Sequence, residues 1–567
     1  KMMDSGYTIE VQIPLKSLRY SDKEPVVMSI IFERYISRFS EHSSFPELDP
    51  AKGMAILTQM VPLEYSGIKH YTLLEILPAA TYSYKSKLKE GKLIKDENKP
   101  DFSLTMKYGI TSDLILDGAV NPDFSQIESD AGQVDVNLRY ELYYPEKRPF
   151  FLEGYETFRI AATQASELDP VISLIHTRTI VNPIVGVKLA GKIDAKNTIA
   201  AIYAADELPN DFGSNDKFSH IPIIRIKSAL SEDSYFGGLA ASVERKNNYN
   251  RVAGLDEMYR FGDGSVLESH AIVSSTKNDQ LANQTGHAIG VSFYKMTRDL
   301  DYGITAKDLA KDFYADMGYV SRTGILGFTG IMRPKVYPES EYFQKISFEL
   351  FSGQTKDKFS NLWETFNHIS IQPYFLGSLT AKAKYSYSTE VYRGEKFKTG
   401  GFHFLIGGQF AKQLSLSLLY RKINAIYYER DPLKSPFQGK SNRVTASAVY
   451  QPLDQLSAEA AFAYSDLYTT TGDKVYDYPL YRGKLTYQLN KYLFFRGIAE
   501  YNQYRKTLLT DFLASFTYIP GTVFYLGYGS LYEKINWDNE NMRYADGDRF
   551  IESRRGFFLK MSYLWRM

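Results

Sequence analysis

From residue 71 to the carboxyl end, apolar and polar residues alternate one by one in runs of about ten, and this constrains the fold more than any other feature. In the last run Phe557, Leu559, Met561, Tyr563, Trp565 and Met567 share one parity, against Phe558, Lys560, Ser562, Leu564 and Arg566. Successive strand side chains point to opposite faces, so such a run has one apolar and one wet face. Tyr385 and Tyr387 oppose Lys382, Lys384 and Ser386. Leu416 and Leu418 oppose Ser415, Ser417 and Arg421, and Leu493 and Phe495 oppose Arg496. Ionic residues on the wet parity over hundreds of residues favour a barrel around an aqueous lumen over a sandwich.

The connections strengthen this reading. Tight turns are expected near residues 194–197, 231–233, 299, 377–378, 412, 454, 490–491 and 520–521. Long loops are expected near 207–215, 278–284, 315–323, 356–361, 390–396, 428–442, 466–478 and 533–555. Outer-membrane barrels turn tightly on the periplasmic side and loop widely outside. About twenty strands follow residue 197, and with a first strand at 73–84 the barrel reaches about 24–26, too wide for wall side chains to fill.

Composition agrees. Tyr (45) and Phe (35) outnumber Trp (3), which suits interfacial aromatic girdles. The net charge of +1 argues against nucleic acid as partner, and without cysteine there is no disulfide or thiolate metal site. Lys1 opens directly into a strand pattern, so the chain is expected to start inside a longer precursor whose signal has been removed. Residues 1–68 are expected to hold the last strands of a periplasmic β-sandwich, with strands at 7–13, ended by Pro14, and at 26–36, then a linker at 60–70. The barrel is expected to occupy 69–567.

One stretch interrupts the alternation. NPDFSQIESDAGQVDVNLRYELYYPEKRPFFLEG, residues 121–154, is dense in charge and aromatics and broken by Pro145 and Pro149. If 113–120 and 171–178 both run upward in the wall, a descending segment must lie between them. Residues 134–143 supply that strand, or the stretch crosses the lumen. Residues 121–170 are expected to form an irregular plug or constriction. Its polar network would comprise Asp123, Glu128, Asp130, Asp135, Arg139, Glu141, Glu146, Lys147, Arg148 and Glu153, with Arg159 and lumenal Lys382, Lys384 and Arg496 as further partners, because buried charges need pairing. Two readings compete with it: a divalent-cation site at Asp123, Glu128 and Asp130, and a glycoside-cleaving acid pair. His176 is expected to be a lumen or core histidine. No hydrolase, nucleotide-binding or zinc motif occurs, and no cofactor is expected.

The stretch NPDFSQIESDAGQVDVN…ELYYPEKRPFFLEG, with IEVQIPLKSLRY, IIFERYISR, ISLIHTRTI, PIVGVKLAGK and FFLKMSYLWR, resembles a family of outer-membrane β-barrel proteins typical of Bacteroidota. Its members carry an N-terminal domain like carbohydrate-binding module family nine. The resemblance covers nearly the whole chain. It departs at His176, where a more basic pair is expected, and in the module, of which only the last strands are present. It implies an all-β fold, a Gram-negative outer membrane, lipid around the wall and partner proteins of the envelope. The expected role is a plugged or gated channel or an envelope scaffold, with a carbohydrate-binding or carbohydrate-processing protein as the alternative and a glycan as its partner.

Overall fold

The computed structural model describes all residues except 1, 4, 5, 14, 16, 17, 19, 21–23, 37–40, 50–55, 69–71, 126, 164–167, 210–215, 263, 279, 280 and 429–434. Pro14, the end of the 60–70 linker and the loop tips at 210–215, 279–280 and 429–434 lie outside the described residues.

Alternation does what it implies: the strands close into one antiparallel barrel. Leu74–Lys89 opens the wall, Lys92–Gly109 and Leu114–Val120 follow, and Leu114–Val120 pairs with Pro183–Lys192 through Val120↔Val185. Twenty strands then run in chain order from Asn197–Glu207 to Arg543–Ser562. The last pairs with the first through Leu559↔Tyr82, and the short Trp565–Arg566 continues it on the same neighbour, so the wall has 24 strands. Closure leaves no sheet edge across the apolar zone.

The two parities separate as expected. Phe102, Leu255, Val273, Ile304, Ile369, Tyr387, Phe404, Phe512 and Met561 are exposed on the outer surface, while Ser386, Ser388 and Lys560 are buried on the inner one. A closed even-numbered barrel with this apolar belt is an outer-membrane barrel, and lipid is the medium that covers its exterior.

One rim has tight turns at 193–196, 230–234, 297–299, 376–378, 412–413, 454–455, 489–492 and 520–521, as the sequence predicts. The other rim differs from expectation. The loops foreseen at 390–396, 466–478 and 533–555 shrink to turns at 393–394, 470–473 and 539–542, and the rest is strand. Those hairpins keep their ladders above the lipid zone, because pairing satisfies the backbone whether or not the faces are apolar. Residues 310–324 remain a loop, carrying the short strand Tyr319–Val320.

The wall strand expected at 171–178 is absent. Only Val171–Ser173 is extended, and it pairs with Tyr319–Val320 rather than with the barrel. Residues 134–143 form no strand either. Leu114–Val120 and Pro183–Lys192 are direct neighbours, so strand parity needs no extra descending strand, and residues 121–182 are an insert inside the barrel. In the N-terminal part, the long strand expected at 26–36 is two, Val26–Ile30 and Phe32–Ile36, paired in separate two-stranded sheets. Thr8 to Ile13 joins no ladder, and Ile9, Val11 and Ile13 are exposed. Alternation specifies an apolar face there, but nothing among the described residues covers it.

Candidate functional site

The insert begins at Asn121, in left-handed backbone (φ 47°), whose N–H bonds Ile184 O at 2.7 Å. Its outward half, residues 123–141, follows the inner wall strand by strand against chain order. Asp123 accepts from Thr81 and lies 3.2 Å from Lys560 Nζ, which also donates to Asp123 O at 2.7 Å. Glu128 meets three cations: Arg482 at 3.3 Å, Lys484 at 3.3 Å and Arg496 at 3.6 Å. Gly132 N–H donates to Glu500 at 2.9 Å. Asp135 pairs with Arg505 at 2.7 Å and accepts from Tyr478 at 2.6 Å. Asn137 bridges Ile426 O and Tyr428 N, at 2.9 and 2.6 Å. Arg139 pairs with Glu390 and lies 3.7 Å from Glu364. Val134 and Val136 pack against Ala425, Leu467, Tyr476, Tyr478 and Leu480.

The returning half is built differently. Pro149 starts a single helical turn, Pro149–Leu152, because its fixed φ suits the first helical position and its missing N–H costs nothing there. Gly154 (φ 74°) then turns the chain in a conformation that a side chain would strain. Arg148 staples the turn to residues 177–180. It donates to Glu146 at 2.7 and 2.9 Å, to Thr177 O at 2.6 Å and to Ile180 O at 2.6 Å, and lies 4.3 Å from the Phe151 ring centre. Phe151, Phe158, Ile160, Val171, Leu174, Ile175 and Ile180 pack against inward Ala200, Ile202, Ile221, Leu239, Ala241, Val252, Ile272 and Leu309. Burying seven such side chains is worth roughly 10–20 kcal/mol before ordering costs.

Polar wall residues seat the same half. Ala161 N–H donates to Asp256 at 2.9 Å, Ala162 N–H donates to Glu268 at 3.0 Å, and Ala161 O accepts from His270 Nδ1 at 2.7 Å. Asp256 is held by Arg225 at 2.5 Å, and both are fully buried. Lys307 pairs with buried Asp169.

Of the sequence-predicted residues, Asp123, Glu128, Asp135, Arg139 and Glu153 reach the wall, Glu153 through Lys107 at 2.6 Å. Asp130, Lys147 and Arg178 pair within the insert, Lys147 with Asp130 at 3.1 Å, and so do Glu146 and Arg148. Glu141 is exposed, and its backbone carbonyl accepts from the Tyr319 hydroxyl. Arg496 contacts the insert as expected. Lys382 instead pairs with Glu349 at 3.2 Å, and Lys384 lies 5.6 Å from the Phe366 ring centre. Asp123, Glu128 and Asp130 each meet different cations and do not converge, and among the described residues no acid cluster can hold a metal ion. His176 packs within the insert, 5.0 Å from the Tyr143 ring.

Electrostatics follow this pairing. Burial alone would raise the Asp123 and Glu128 carboxyls, but Lys560 and the Lys484, Arg496 and Arg482 group hold them below the usual range. Burial likewise opposes ionisation of Glu146, yet the Arg148 and Thr177 hydrogen bonds bring it down to about 2. Burial lowers His176, keeping it neutral.

The wall partners Lys107, Asp256, Glu268, His270, Lys307, Glu390, Arg482, Glu500 and Lys560 were not predicted as a set. Their one sequence signal is an ionic residue on the inward parity, and that parity does not say which strand faces which part of the insert.

A family described as "Domain of unknown function (DUF5916)" is present at residues 72–163, spanning the first three wall strands and the first part of the insert. No curated protein matches the chain. Among solved structures the chain is similar to the siderophore receptor PirA from Pseudomonas aeruginosa, with TM-score 0.48 and 7% identity over 89% of this chain and 82% of that one. It is also similar to the copper transporter OprC, with TM-score 0.44, 8% identity and coverage of 89% and 83%. For the unliganded ferric citrate transporter FecA the values are 0.37, 10%, 89% and 80%. The fold rests on the strand ladder, not on these likenesses.

Proposed function

We propose that this outer-membrane barrel is a gated channel, with residues 121–182 as its plug and 128–141 as the part that moves. One observation carries the reading. The three wall cations around Glu128 each have a wall acid of their own: Arg482 with Glu500 at 2.8 Å, Lys484 with Glu459 at 3.2 Å and Arg496 with Asp511 at 3.1 Å. Release of Glu128 therefore strands no buried charge, so its main cost is avoided. The returning half has no such freedom, because removing Asp169 takes the carboxylate from buried Lys307 and exposes an apolar core. A plug with one firmly docked half and one in which Glu128 exchanges freely, Arg139–Glu390 being a pair it must break, opens partway without unfolding.

The same reading puts residues 1–68 at the tight-turn rim as the end of a periplasmic sandwich. A hydrogen bond between the hydroxyls of Tyr35 and Ser378, the latter in a tight turn, supports that position at 2.9 Å. Planar-bilayer conductance tests the channel. The intact chain should conduct weakly, and a variant with residues 128–141 replaced by a Gly-Ser linker should hold a larger, steady conductance. Equal silence from both refutes the channel and favours a scaffold.

A further inference from the structure

One row of the inner wall gathers basic residues on four neighbouring strands. The strand register runs Lys384↔His403↔Arg421↔Arg443 across Leu379–Tyr392, Glu395–Ala411, Leu414–Tyr427 and Phe437–Leu453. All four residues are on the inward parity and half-buried. Neighbouring strands lie about 5 Å apart, so this is a ladder of basic side chains. Like charges placed directly opposite destabilise a sheet.

Many wall cations have carboxylates: Arg225 has Asp256, Arg333 has Glu349 at 2.6 Å, and Lys335 has Asp301 at 2.6 Å. Among the described residues neither Arg421 nor Arg443 has one. Arg443 Nε only donates to Ser441 at 3.4 Å, and Arg421 Nε is buried without a hydrogen-bond partner. The insert does not fill the gap. Its contacts on these strands are at Glu390, Val391, Ala425 and Ile426, toward the other rim, and Ile426 is roughly 16 Å along the strand from Arg421.

We propose that Arg421 and Arg443, flanked by His403 and Lys384, form a binding site for a multiply charged oxyanion on the tight-turn side of the plug. Two adjacent guanidinium groups supply the planar donor forks that oxyanions accept, and a bound anion removes the Arg–Arg repulsion. The site deepens the channel reading and rests on it, since it assigns the lumen an anionic solute.

The test is titration calorimetry on the full chain in detergent, with pyrophosphate as probe and chloride as control. The intact protein should bind pyrophosphate, R421Q/R443Q should bind at least about tenfold more weakly, and R421K, which keeps the charge but loses the fork, should fall between them. Heat-shifted electrophoresis confirms that each variant is folded. Losing the like-charge pair should raise the unfolding temperature of R421Q/R443Q, an effect that simple damage does not produce. No pyrophosphate binding by the intact chain, or undiminished binding by R421Q/R443Q, overturns the site. A barrel that binds pyrophosphate but never conducts refutes the channel and leaves the site standing.

Discussion

Replacing Glu128 with Gln should loosen the outward half of the plug by an amount the structure sets. The carboxylate meets three cations at 3.3, 3.3 and 3.6 Å, and its side chain is 29% exposed. Partly hydrated pairs are worth about 0.3–1 kcal/mol each, and three that share one carboxylate, with each cation also holding a wall acid, fall short of additivity at about 1–2 kcal/mol. The detached population should therefore rise about 5- to 30-fold. The chain has no cysteine, so a single introduced thiol reports cleanly. Val136→Cys, on the half-buried face against Tyr476 and Tyr478, should react with a water-soluble maleimide about 5- to 30-fold faster in E128Q. Ala161→Cys, seated on Asp256 and His270, should stay protected in both backgrounds. Equal rates at Val136→Cys, or equal acceleration at both positions, would refute the division of the plug into two halves.

Lys307→Met should destabilise the barrel by about 3–5 kcal/mol in urea titration by taking the cation from buried Asp169, and adding Asp169→Leu should recover most of the loss. Glu146 has its carboxyl lowered to about 2 from 4.5, so its contribution is full above pH 4.5 and is lost as pH falls through about 2. Proteolysis near Thr177 should therefore be constant from neutral pH to about 5 and quicken below about 4, and Glu146→Gln should be fast throughout. Gly191→Ala should sharply reduce folded barrel on heat-shifted electrophoresis, because its Cβ would stand 1.8 Å from Asp113 O at φ 144°.

The fold was legible because a wall strand has one lipid face and one wet face. Phe557 to Met567 displays that division in eleven letters, and tight turns such as 520–521 repeat it along the chain. The wall position of 171–178 was misread because VISLIHTR is as apolar as a wall strand, while its real partners, Tyr319 and Val320, lie far along the chain. Loop lengths were overestimated where polar hairpins such as 393–394 leave the lipid zone without losing their ladder. In the insert, charge density at residues 123–153 marked the ionic half. The docked half went unseen because Phe158, Ile160 and Ile175 are scattered without periodicity, and Asp256 and His270 read as ordinary inward residues. The basic row was invisible because Lys384, His403, Arg421 and Arg443 become neighbours only through strand register.

The most direct test of the account locks and releases the moving segment in one molecule. Gly132 lies against Glu500, so a Gly132→Cys/Glu500→Cys pair can tie the plug to the wall. Conductance of that variant in a planar bilayer should be low when oxidised and rise reversibly when a reductant is added. A conductance that is the same in both states contradicts a gate at residues 128–141.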